Sequence, residues 1–235
     1  MSSELQLQKY IFDTYGEDIS SVSALGSSGN SKVYCFNYFT VKHFTGQYIE
    51  LIHDIINNEV NTLRSISLPG ENYFIKLIGF NINHNIIVYR TVSRVILYDD
   101  IIQSYKLIKD VAEDLYILHS RGFKHGDTSV HNIGFIDGRY IFFDFEGVRA
   151  ITNSQEDAYK DVNDFLENLI ILYKQKGFNI LEDNVRNIKL LIDTCSITVR
   201  NINIRGVSGK TKIRKDTTYF YDIHMFLIIL KIIGI

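Results

Sequence analysis

Tryptophan is absent from the 235 residues, proline occurs once and cysteine twice. A single proline leaves no room for a polyproline linker, and no stretch is dominated by proline, glycine or serine. No repeat or low-complexity block appears either, which excludes solenoid and fibrous classes. Cys35 and Cys195 form neither a disulfide framework nor a metal-ligand spacing, and are expected as small buried apolar residues in a reducing compartment. Charge of one sign is not in excess: 25 basic against 27 acidic residues give a net charge of −2. That argues against a broadly basic nucleic-acid surface. The first residues, MSSELQLQKYIFDTYGED, lack the apolar core of a secretory signal. The apolar end MFLIILKIIGI is too short to span a bilayer and is broken by Lys231. A helix docked on the rest of the chain is expected there, with an interfacial anchor as the alternative. The resulting expectation is a cytoplasmic protein without a transmembrane segment.

Apolar content is ample at 46%, with 22% charged residues, enough for a packed core in one large domain or two small lobes. Leu5, Ile11 and Tyr15 are spaced for an opening helix. The stretch SVSALGSSGNSKVYCFNYFTVKHF alternates with period two about a Gly/Ser/Asn turn, as a hairpin does. Ile52, Ile55, Ile56, Val60 and Leu63 fall on one helical face. Two strands are expected in YFIKLIGFNI and NIIVYRTV, joined through Asn83–Asn85. Ile108, Val111, Leu115 and Leu118 line a further helix that Gly122 would cap. FIDGRYIFFD reads as a tight hairpin turning at Asp137-Gly138. NSQEDAYKDVNDFLENLIILYKQKG begins acidic and ends in lysines before Gly177, as a helix dipole favours. The remainder reads as mostly helical apart from a polar, basic loop. The order predicts an α+β fold: a strand-rich first third with one helix, then a helix-rich part, dividing near residues 93–100.

Within GFKHGDTSVHNIGFIDGRYIFFDFEG, Asp127 precedes Asn132 by five residues, and Asp144 follows an aromatic strand. Two carboxylates and an amide on loops between short apolar strands are the parts that metal-assisted phosphoryl transfer requires. Oxygen ligands hold a divalent cation and a carboxylate orients the attacking hydroxyl. A lone buried carboxylate at Asp144 would be costly without a metal or donors. Asp127 is equally suited by residue type to cap a turn.

HGDTSVHN followed by DFE resembles the catalytic loop and metal motif of the protein-kinase-like superfamily, H-x-D-x-x-x-x-N and D-F-G. Other segments are similar to that superfamily in the same order. LGSSGNSKVY resembles its glycine-rich loop, with Gly26 and Gly29; an ordinary hairpin turn is the competing reading. FTVKHF resembles the strand bearing the phosphate-binding lysine, here Lys42. NNEVNTLRSI resembles the helix whose glutamate pairs with it, here Glu59, and KDVNDFLENLIILY the central helix that braces the catalytic loop through Asp161. The resemblance covers roughly residues 25–173. It implies one protein-kinase-like domain over 1–235, with an N-lobe of about 1–93 and a C-lobe of about 100–235. It also implies ATP with Mg2+ or Mn2+, metal ligands Asn132 and Asp144, and Asp127 as the catalytic carboxylate. HGD in place of H-R-D, Ser129 in place of lysine, and DFE in place of D-F-G point to the small atypical branches. Those branches are the aminoglycoside and choline phosphotransferases, RIO-type kinases and lipopolysaccharide kinases. The chain is too small for the C-terminal helical insertions that commonly build a small-molecule pocket, so the expected partner is a protein serine or threonine hydroxyl, including the chain's own, with a small-molecule or glycan acceptor and a nucleotide-binding pseudokinase as alternatives. The basic run from Arg205 to Lys215 is a solvated loop by default.

Overall fold

The computed structural model describes residues 3–22, 24, 27–28, 31–46, 48–94, 101–152 and 154–190. The mixed α+β chain divides into two compact units, Met1–Val92 and Ser93–Ile235. Gly26, Gly29, Cys195, the basic run 205–215 and the apolar C-terminus lie outside the described residues. No helix among the described residues is long and apolar enough to cross a membrane.

The first unit is built on an antiparallel sheet. Its strands are β1 (Ser27–Ser28), β2 (Ser31–Cys35), β3 (Phe39–Phe44), β4 (Leu77–Asn81) and β5 (Ile86–Arg90), in the order β1-β2-β3-β5-β4. Its helices are α1 (Ser3–Tyr15) and α2 (Ile49–Ile66). Both stretches read as helical therefore fall in this unit, because each face of the sheet is apolar enough to need cover. Tyr34, Phe36, Phe39, Val41, Ile86 and Val88 form one core with Leu7 and Ile11 of α1. Strand alternation turns Lys42 and its register partner Ile87 to the opposite face, where α2 packs. The α1 stripe is corrected by one step. Leu5 is 54% exposed and Leu7 takes the buried place one turn before Ile11. In α2, Ile52, Ile56, Val60 and Leu63 are buried and Ile55 only partly. Cys35 is also only partly buried, and its Sγ accepts a hydrogen bond from the Thr40 hydroxyl. Between β4 and β5, a 3-10 turn at Ile82–His84 ends at Asn85 with φ +54°. Asparagine tolerates that left-handed conformation better than most residues.

The second unit contains β6 (Ser93–Arg94), α3 (Ile101–Ser120), β7 (Phe123–Lys124), β8 (Ile133–Ile136), β9 (Arg139–Phe142), β10 (Arg149–Ala150) and α4 (Ser154–Lys176). Residues 179–190 are helical as well. Strands pair as β6-β8-β9, and β10 pairs β7 separately. Ile108, Val111, Leu115 and Leu118 are all buried on α3, as their spacing predicts. Gly122, at φ +82°, closes that helix by donating its N–H to His119 O. At the end of α4, Gly177 N–H reaches Lys174 O and Phe178 N–H reaches Tyr173 O, the paired bonds of a Schellman cap. The β8–β9 hairpin turns at Asp137 and Gly138, with φ +50° and +81°. Positive φ at both positions gives the primed turn whose twist matches the strands.

Candidate functional site

Within the first unit, β3 delivers Lys42 into the space covered by α2. The Lys42 residue is 7% exposed and Glu59 is fully buried. Lys42 Nζ lies 3.5 Å from Glu59 Oε2, and the Tyr89 hydroxyl on β5 donates to Glu59 Oε1 at 2.6 Å. A buried carboxylate is tolerable only when its charge is matched and its lone pairs are used. Lys42 supplies the charge and Tyr89 a donor. The Lys42 ammonium also lies 5.3 Å from the centre of the Phe44 ring, a second favourable neighbour for a desolvated cation. Lys42 and Glu59 were singled out by the resemblance of their segments to the lysine strand and glutamate helix of the kinase-like superfamily. Tyr89 was missed, since a tyrosine within an apolar strand looks like core.

In the second unit, two pairings bring the chain segments of the loop together. The β7–β10 ribbon sets Lys124 opposite Arg149, and the β8–β9 hairpin sets Ile133 opposite Phe142. Just beyond the hairpin, Phe143 N–H donates to Asn132 O at 3.0 Å, so Asn132 lies beside the residue preceding Asp144. Asn132 Nδ2 donates to the Asp127 carbonyl at 3.2 Å, which turns the amide oxygen away from that bond. Asp127 is exposed, Asp144 is half-buried, and Asp144 Oδ1 accepts Glu146 N–H at 3.3 Å. Asp127, Asn132 and Asp144 are thus gathered on one loop cluster. Ser129 uses its hydroxyl to accept His131 N–H, starting the short turn Val130–Asn132.

Asp161, at 3% exposed on α4, holds this loop from beneath. Its Oδ2 accepts His125 N–H at 2.7 Å and its Oδ1 accepts Gly126 N–H at 2.9 Å. His119 Nε2 lies 2.8 Å from Oδ2, and the Thr128 hydroxyl donates to the Asp161 carbonyl. Burial pushes the Asp161 carboxyl up, but the His119 contact and the two backbone donors outweigh it and hold it below the ordinary value. His119, in the last turn of α3, was not anticipated from the sequence.

His125 is fully buried and stacks on Phe142 and Phe145, with ring centres 4.2 and 5.4 Å away. Burial drives it down to about 4, against the pull of Asp161, Asp144 and Asp127. Its Nδ1 faces Asp127 N–H at 3.4 Å. The ring is therefore neutral at pH 7 and shapes the backbone ahead of Asp127. Gly126 has φ +79°, and a Cβ placed on it would lie 2.7 Å from the Gly147 carbonyl oxygen. Side chains are excluded there by both conformation and space, which gives the HGD spelling a physical cause.

Arg139 on β9 joins α3 through a second charged network. Its guanidinium contacts Glu113 Oε2 at 2.7 Å and Asp114 Oδ1 at 2.8 Å, and donates to the Asp110 carbonyl. Burial holds the Asp114 carboxyl well above its ordinary value despite Arg139. The network ties the hairpin to the helix.

No protein-family model matches the chain, and no curated protein matches it.

Proposed function

We propose that the protein is an ATP- and Mg2+-dependent phosphotransferase with the two-lobed kinase-like fold, transferring the γ-phosphate to a hydroxyl. The observation that carries this reading is the loop from His125 to Asp144. A carboxylate, an amide oxygen and a second carboxylate are collected there, and a buried aspartate binds the backbone at its start. The Lys42–Glu59 pair supports it independently from the first unit. The oxygen-only donor set of Asn132 and Asp144 fits a hard cation such as Mg2+ or Mn2+ and suits no soft metal. Such an ion supplies charge neutralisation on the phosphates.

The remaining steps belong to side chains. Lys42, held by Glu59, places a fixed positive charge for the α- and β-phosphates. Asp127 is exposed, so it can reach an acceptor; it accepts a hydrogen bond from the hydroxyl and takes its proton late in transfer. The acceptor oxygen bonds to the γ-phosphorus as the bond from that phosphorus to the β-γ bridging oxygen breaks, and ADP leaves with the electron pair. His125 is fully buried against Phe142 and Phe145, so it has no access to an acceptor and is not the base.

α4 begins at Ser154, ten positions after Asp144, and β10 occupies Arg149–Ala150 between them. So short a connection offers no long phosphorylatable segment and supports an atypical kinase. A protein serine or threonine hydroxyl, including one of the chain's own, is the acceptor class we assign. Incubation with γ-labelled ATP and Mg2+ tests the assignment. Label on protein bands, lost in Asp127→Ala, is the expected result. Label on sugar or choline acceptors alone would replace the acceptor class, and no transfer to any acceptor would leave a nucleotide-binding protein without turnover.

A further inference from the structure

A cavity of about 730 Å3 lies wholly within the first unit, bounded by the last turn of α2, the loop 67–76 and β4. Its apolar wall includes Leu63, Leu77 and Phe80. The register of β4 against β5 shifts between Leu77 and Gly79, leaving Ile78 outside the ladder, and Ile78 joins the same wall. A bulge re-aims a side chain in this way. The volume falls within the range of small-molecule sites, roughly 300–1,000 Å3.

Two cations stand in the lining, Arg64 and Lys76, against a single carboxylate, Glu71. The Arg64 guanidinium lies 5.2 Å from the centre of the Phe80 ring, so its charge is placed over the apolar wall. Among the described residues neither Arg64 nor Lys76 has an ion-pair partner. We propose that this cavity is a binding site for a small anionic amphiphile, an aryl or acyl carboxylate. Its hydrocarbon part lies against Leu63, Leu77 and Phe80, and its carboxylate meets Arg64 and Lys76. Guanidinium groups bind carboxylates through paired N–H donors, which makes the site selective for charge as well as shape.

The cavity has a direct route to Glu59. Leu63 follows Glu59 by one turn of α2, and Leu77 is the register partner of Tyr89, whose hydroxyl holds Glu59. A ligand pressing on Leu63 and Leu77 therefore acts on the helix that carries Glu59 and on the strand neighbour of Tyr89. The consequence for phosphate binding rests on the phosphotransferase reading; the binding itself does not.

The test is a titration of the 15N-labelled full chain with 2-naphthoate, in the absence of nucleotide, followed by amide resonances. Saturable shifts are expected at Leu63, Ile78 and Phe80, with Glu59 and Tyr89 responding at the same midpoint. The uncharged 2-naphthamide should bind about tenfold more weakly, and Arg64→Gln or Lys76→Gln should each weaken naphthoate by about tenfold. Both side chains are exposed, so these variants should melt with the wild type. Absence of saturable shifts, equal binding of the amide, or unchanged affinity in both variants would overturn the proposal. Failure of the phosphotransferase reading would leave this titration untouched, since no nucleotide is present.

Discussion

Gly126 and Gly147 meet back to back, so closely that a Cβ on Gly126 would sit 2.7 Å from the Gly147 carbonyl oxygen. The contact joins the segment before Asp127 to the segment after Asp144, and it fixes what residue can occupy position 126. Gly126→Ala combines left-handed strain with a backbone clash and should cost about 2 kcal/mol or more. Gly138→Ala is the control, because its φ is +81° but nothing lies within 4 Å of the added atom. Strain alone should cost it about 1 kcal/mol. Urea unfolding of the two variants separates the terms, and equal losses would contradict the close approach.

Tyr89 and Glu59 yield a second expectation. Tyr89→Phe removes the donor that Glu59 Oε1 uses at 2.6 Å and should destabilise by about 1–3 kcal/mol. Glu59→Leu leaves Lys42 buried without its carboxylate and should cost about 3–5 kcal/mol. Combining Glu59→Leu with Lys42→Met should recover much of that loss, since a buried pair replaced by apolar groups is often neutral. Denaturant midpoints of the two singles and the double measure the coupling, and simple additivity would contradict a shared buried pair.

Residue pattern alone made the periodic elements readable. The α3 stripe, the Asp137-Gly138 turn and the glycines closing α3 and α4 follow from local rules that tertiary contacts do not override. The α1 stripe was misplaced by Leu5, because a short helix with few apolar residues fits more than one phase. At the candidate site, Asp127, Asn132 and Asp144 were legible because their spacing is chemical as well as structural. Tyr89, His119 and the Gly126–Gly147 contact were not. Each acts through a partner distant in sequence, and no local pattern announces such a pairing.

His125 makes stability depend on pH in a defined window. Its folded-state value of about 4 lies below the ordinary 6.5, so the unfolded chain binds the proton more readily. The contribution is fully present above pH 6.5 and is lost as pH falls from 6.5 through about 4. A shift of this size corresponds to about 3 kcal/mol. Asp161, held below its ordinary value, adds a further loss only at more acidic pH. His125→Phe keeps the stacking on Phe142 and Phe145 but cannot titrate. Its stability curve between pH 4 and 6.5 should be flatter than the wild type's; identical slopes would contradict a buried neutral histidine.

The phosphotransferase reading is tested most directly by thermal melting with ATP, with and without Mg2+, in the wild type, Asp127→Ala and Asp144→Ala. Near ten times its dissociation constant, nucleotide should raise the wild-type melting temperature by about 3–6 °C, and only with Mg2+ present. Asp127→Ala should keep that rise and lose turnover, while Asp144→Ala should lose the rise. No Mg2+-dependent rise in the wild type, or equal rises in both variants, would contradict the account.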